Sequence, residues 1–174
     1  MSQLISWSVR SGAARALRPS LAAVALVVLT CRTASAQLAI TAPSASVSIA
    51  HDATNNDQVF AAQNWQVQCN DNQGGTVMFS TNQAFRNTAD GTYQRDARLD
   101  LSIASAAAFA QWAVTVASDQ TNYAAADGVA TVQARSNRRG DATFDLTVTF
   151  LTVQYDTLAE GAYQLTVTGT LTGN

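Results

Sequence analysis

Residues 142–151 read Ala-Thr-Phe-Asp-Leu-Thr-Val-Thr-Phe-Leu, and residues 162–172 read Ala-Tyr-Gln-Leu-Thr-Val-Thr-Gly-Thr-Leu-Thr. Both alternate with a period of two. In the first, Phe144, Leu146, Val148 and Phe150 share one face and Thr143, Asp145, Thr147 and Thr149 the other. In the second, Tyr163, Leu165, Val167 and Leu171 oppose Gln164, Thr166, Thr168, Thr170 and Thr172. Successive side chains of a strand point to opposite faces, so each stretch predicts a strand that is half buried and half solvated. Thr and Val are β-branched and suit a pleated surface better than a helix. The connecting residues 154–161 are too many for a two-residue hairpin turn, so the two strands can lie in different sheets, as in a Greek-key sandwich. Gly169 leaves a gap on the apolar face that a bulge, or a large side chain from a facing strand, would fill.

Working upstream, residues 97–103, 112–117 and 128–135 also carry strand patterns. Residues 61–69 and 76–81 flank Asn70-Asp-Asn-Gln-Gly-Gly75, which reads as a hairpin because Gly supplies the positive φ such turns need. Residues 82–94 read as a longer loop with a turn at Asp90-Gly91, and the Ala-rich residues 104–112 as a short helix or crossover. Near the start, Leu38/Ile40/Ala42 and Ala45/Val47/Ile49 form two short alternating runs, out of phase across Pro43. Proline cannot donate to a ladder, so this is an edge strand, a kinked strand, or a strand that changes partner at the proline. Turn signals at strand spacing and the lack of a long helical pattern predict an all-β fold, an immunoglobulin-like Greek-key β-sandwich of about seven to eight strands, with a barrel as the other closed solution.

The first 36 residues read as an export signal. Arg10, Arg15 and Arg18 precede the apolar residues 21–31, and Ala34-Ser35-Ala36 is a small-residue cleavage motif before Gln37. The apolar run is shorter than the roughly 20 residues a membrane-spanning helix needs. Cleavage after Ala36 leaves residues 37–174 as a single domain, secreted or displayed at the cell surface, with passage through a periplasm included. Four arginines and no acids leave with the signal, so six Arg face twelve Asp and Glu and the remaining net charge is −6. That balance disfavours nucleic acid and anionic membrane as partners, and no membrane insertion of the processed chain is expected.

Residues 37–174 contain one His, one Glu and no Lys. A Ser-His-Asp triad would need His51, which has no surrounding motif, so a non-enzymatic role is expected. One His and one Cys cannot supply the three or four nitrogen and sulfur ligands of zinc, and no cofactor is expected. Asp52, Asn55, Asn56 and Asp57, like Asn70, Asp71 and Asn72, lack the spacing of a calcium loop and suit turns. Cys69 continues the alternation of Trp65 and Val67 and reads as a buried thiol. Arg139-Gly140-Asp141, the tripeptide some adhesion receptors recognise, equally suits a solvated turn. Trp65 and Trp112 fall on strand core faces, which leaves the loop tyrosines Tyr93, Tyr123 and Tyr155 as ligand-contact candidates.

An export signal, a Ser/Thr/Val-rich first strand, an all-β body and the closing stretch Gly161-Ala-Tyr163-Gln-Leu-Thr-Val167-Thr-Gly-Thr-Leu171-Thr together resemble bacterial pilin and spore-coat-U-type subunits of the chaperone–usher kind. The resemblance implies an incomplete immunoglobulin-like sandwich whose groove receives the N-terminal segment of a neighbouring subunit. Leu38, Ile40, Val47 and Ile49 would then be the inserting residues. Three features differ from that family: there is no disulfide pair, no aromatic residue near the C-terminal Asn174, and Pro43 interrupts the donor segment. Two roles stay open, a structural surface subunit that self-associates by strand addition or joins other surface subunits, and a monomeric secreted β-sandwich that binds carbohydrate or another surface ligand. They differ in whether residues 37–50 pair within their own domain.

Overall fold

A computed structural model describes residues 38–43 and 46–174. The residues read as an export signal and cleavage site, together with Gln37 and Ala45, lie outside the described residues. In chain order the strands are β1 (Leu38–Thr41), β2 (Gln58–Val59), β3 (Gln63–Cys69), β4 (Gly75–Thr81), β5 (Phe85–Asn87), β6 (Gln94–Arg95), β7 (Ala97–Ala106), β8 (Ala113–Val116), β9 (Ser118–Gln120), β10 (Thr131–Arg135), β11 (Ala142–Phe150), β12 (Tyr163–Gln164) and β13 (Val167–Gly173). Three single-turn 3-10 helices, Ala108–Ala110, Tyr123–Ala125 and Tyr155–Thr157, are the helical elements among the described residues. None is long and apolar enough to cross a membrane.

The fold is all-β and its strand pairs are antiparallel. One sheet has the order β1-β3-β11-β7-β9, with β2 pairing the far end of β11; a second has the order β13-β4-β10-β8; a third joins β12, β5 and β6. There are more strand segments than the seven or eight the pattern predicts, because single apolar stretches break into pieces. The closing stretch is the clearest case. It pauses at residues 165–166, where Asn82 caps the break by accepting from the Thr166 N–H and donating its own N–H to the Thr166 carbonyl. β12 and β13 thus run on as one course beside β5 and β4.

The two alternating stretches do lie in different sheets, β11 in the first and β13 in the second. The hairpin expected at residues 70–75 does not form. β3 pairs β1 and β11 while β4 pairs β13 and β10, so residues 70–74 arch from one sheet to the other. The burial pattern explains why: Val67 and Cys69 on one side of the arch and Val77 and Phe79 on the other are all fully buried. Facing sheets about 10 Å apart bury both sets at once, whereas a flat hairpin would have given them a single shared face. The Ala-rich stretch continues β7 to Ala106 and then turns once, at Ala108–Ala110.

Phe79, Phe144, Leu99, Leu146, Val67, Val77 and Val132 form the centre of the core, with Trp112 beside them. Phe79 meets Phe144 edge to face at 6.4 Å and Trp112 meets Phe144 at 5.3 Å. Each fully buried side chain of this size contributes about 1.5–3 kcal/mol. On β11 the expected alternation places Phe144, Leu146 and Phe150 inside, with Val148 half-buried. Thr149, expected on the solvated face, is fully buried, and its hydroxyl has no hydrogen-bond partner among the described residues. Tyr163, Leu165, Val167 and Leu171 are only half-buried. The reason lies in what is beside them.

Candidate functional site

The course formed by β12 and β13 is an edge. β12 pairs β5 and β13 pairs β4, and no strand among the described residues pairs the other side of either. On the opposite sheet, the ladder of β1 on β3 covers only Gln66 to Cys69 and stops before Pro43, which has no N–H to continue it. Between these two rims lies a groove of about 760 Å³. Leu146, Val148, Phe85 and Phe150 line it from within, and Trp65, Tyr163, Leu165 and Val167 stand along its sides.

The groove's aromatic base is packed in sequence. Phe60 stacks on Phe85 at 5.9 Å, Phe85 meets Phe150 edge to face at 5.0 Å, and Phe150 meets Tyr163 at 5.5 Å. These rings form a second apolar cluster with Ala97, Leu158 and Leu165. No Asp, Glu, Lys or Arg lines the groove. Such a surface offers an extended segment apolar contact and main-chain hydrogen bonds along the strand edge, a mode in which alternate side chains would set the register.

The four candidate inserting residues divide into two pairs. Leu38 and Ile40 are half-buried in β1, opposite Cys69 and Val67 of the same domain. Val47 and Ile49 lie outside any strand, 44% and 46% exposed, and line the groove itself. Trp65 and Trp112 pack on the core as the alternation predicts, and Cys69 is fully buried. Tyr93, Tyr123 and Tyr155 are exposed. The sequence reading missed Phe60 and Phe85, because each sits in a run too short to alternate. The nearby Gly161-Ala162 pair was visible but carried no chemistry.

At one end of the groove sits His51. Its Nδ1 accepts the Ala53 N–H at 3.0 Å, which leaves the proton on Nε2, 3.0 Å from the Thr152 hydroxyl. Thr152 in turn donates to the Asn56 carbonyl at 2.7 Å, and the imidazole lies 5.2 Å from the Tyr155 ring. These partners make His51 a tie between two loops: the Asp52 carboxylate lies 3.7 Å from Nδ1, which is already engaged by the Ala53 N–H, and the Thr152 hydroxyl is already donated to the Asn56 carbonyl. The Asn and Asp side chains of the loop serve the backbone: Asn55 accepts from the Tyr155 N–H, and Asp57 from the Thr152 N–H. The Thr54 hydroxyl, 2.7 Å from the Asp52 carboxylate, holds that group below its ordinary range, with the Thr54 N–H and the Gln58 amide adding to the effect. Among the described residues no cluster of three His, Cys, Asp or Glu side chains converges on a metal position.

The Arg139-Gly140-Asp141 tripeptide is folded inward at its centre. Gly140 donates to the Cys69 carbonyl and accepts from the Trp112 indole at 2.9 Å, and the Asp141 carboxylate accepts from the Cys69 N–H.

No family model matches the chain, and no curated protein or solved structure does.

Proposed function

We propose that the protein is an exported, non-enzymatic structural subunit of a surface assembly, of the pilin or coat kind, and that its groove receives an extended strand from a second copy. The carrying observation is the groove between two strand edges, with an aromatic and aliphatic base, no Asp, Glu, Lys or Arg in its lining, and residues 163–167 along one side. The strand order supports an immunoglobulin-like Greek key with one strand wanting. We read the sheets β1-β3-β11-β7-β9 and β13-β4-β10-β8 as the two halves of such a sandwich, with the place beside β13 taken by a strand from a second copy. The donor is residues 37–50 of a neighbour. That segment carries no charge, and its Leu38, Ile40, Val47 and Ile49 alternate with small residues in two short runs about Pro43. Because its own ladder on β3 is four residues long, exchange between copies sacrifices little. Edge strands often carry lysines that block such pairing, and this chain has none.

A second reading, a monomeric secreted module that binds carbohydrate or another surface ligand, is favoured by the pairing of Leu38 and Ile40 within their own domain. Sedimentation of the processed chain over a range of concentrations decides between the two. Self-association that grows with concentration and is insensitive to salt, as an uncharged groove requires, supports the subunit. A monomer at every concentration supports the module.

A further inference from the structure

Residues 46–50 lie on the groove without belonging to it as a strand. They adopt no ladder, and among the described residues their backbone makes no hydrogen bond. Their hold is through side chains: Val47 and Ile49 line the groove and keep a little over half of their surface from solvent. The segment is fastened on both sides. Upstream, Leu38 and Ile40 are paired in β1; downstream, the His51 ring is tied to Thr152, to the Ala53 N–H and against Tyr155.

From this arrangement we infer that residues 46–50 are an autoinhibitory strap, which covers the chain's own groove and must lift before a strand from a second copy pairs along β12 and β13. The inference rests on reading the groove as a strand acceptor. Its physical basis is an asymmetry in hydrogen bonding. The strap contributes two apolar side chains and leaves the strand edge unpaired, while an incoming strand makes the same apolar contacts and adds main-chain bonds. The strap is therefore displaceable, and it lowers the apparent affinity of the groove by the fraction of time it is closed. The free chain is kept from premature association by a segment that has the donor's own apolar residues.

The test uses the full chain and its Val47→Ser/Ile49→Ser variant, with a fluorescent peptide of the sequence of residues 37–50 as the probe. The strap predicts that the variant binds the peptide about tenfold more tightly than the parent. Equal or weaker binding by the variant overturns the inference while leaving the groove a strand acceptor. A second readout does not need the peptide: with Leu165→Cys in either background, a thiol reagent should label the groove several-fold faster once the strap is weakened. Of the two native cysteines, Cys69 is fully buried and does not compete, and Cys31 is replaced by Ser in every background. Unchanged labelling overturns the strap whatever the peptide does. If neither chain binds the peptide but labelling accelerates, residues 46–50 do cover the groove, but its acceptor role falls and the autoinhibitory role falls with it. His51→Ala, which cuts the downstream tie and leaves Val47 and Ile49 in place, should move both readouts in the same direction.

Discussion

Ile40 occupies the space that Gly169 leaves empty: a Cβ placed on Gly169 would lie 2.8 Å from the Ile40 δ-methyl, and as close to the Trp65 ring. The gap on the apolar face of the closing strand is thus filled across the sandwich by the strand at the start of the domain. Beyond this contact the two edges part and the groove opens.

Gly169→Val should therefore destabilise the domain by about 1–3 kcal/mol, since the added methyls must displace Ile40 and Trp65. Combining it with Ile40→Ala should recover part of that loss, a coupling readable in urea melts as a double-mutant cycle. Strict additivity would show that Ile40 does not sit over Gly169.

Leu146 and Val167 hold equivalent places in the sequence pattern but different places in the molecule. Leu146 is 2% exposed, whereas Val167 stands half-buried on the groove's side. Leu146→Ala should cost about 2–4 kcal/mol and Val167→Ala about 1. Thr147→Ala and Thr166→Ala should each cost under about 0.5. Equal losses at Leu146 and Val167 in thermal melts would mean that the groove is closed in solution.

Gly140 has a φ of 147°, and a Cβ there would come within 2.6 Å of the Ala110 Cβ. Gly140→Ala combines backbone strain with that collision and should cost about 2 kcal/mol or more. Because the Gly140 carbonyl accepts from the Trp112 indole, a change in tryptophan emission should accompany the loss. An unaltered spectrum and melting temperature would contradict the inward fold of the tripeptide.

The Asp52 carboxylate is held below its ordinary 3.8, chiefly by the Thr54 hydroxyl. A depressed carboxylate stabilises the folded loop fully above about pH 4 and progressively less as pH falls through its folded value. Amide exchange at Thr54, whose N–H donates to Asp52 at 3.0 Å, should accelerate over that acid window. In Asp52→Asn the acceleration should vanish, and its persistence would show that another group orders the loop.

Much of the all-β body was legible in the alternation itself. Residues 142–150 are a strand with Phe144, Leu146 and Phe150 inside, because a long two-residue period admits little else. What the alternation omits is the partner. Residues 63–69 and 75–81 carry identical patterns whether they form a hairpin or face each other across a core, and only the burial of Val67, Cys69, Val77 and Phe79 from both sides separates the cases. Of the groove, the half that lies on the long alternating stretch of residues 162–172, Tyr163, Leu165 and Val167, could be read in advance. The half that lies on short segments, Phe60 and Phe85, could not, since two or three residues carry no period. Val47 and Ile49 alternate like a strand and yet lie unpaired on a surface, a distinction set by which edge is within reach.

The central claim is that residues 37–50 of one copy fill the groove of another, and deleting them tests it most directly. The account predicts that a chain beginning at His51 stays folded by circular dichroism, sediments as a monomer where the longer processed chain associates, and binds the peptide of residues 37–50 one to one. A shortened chain that stays folded, associates as before and ignores the peptide would contradict it.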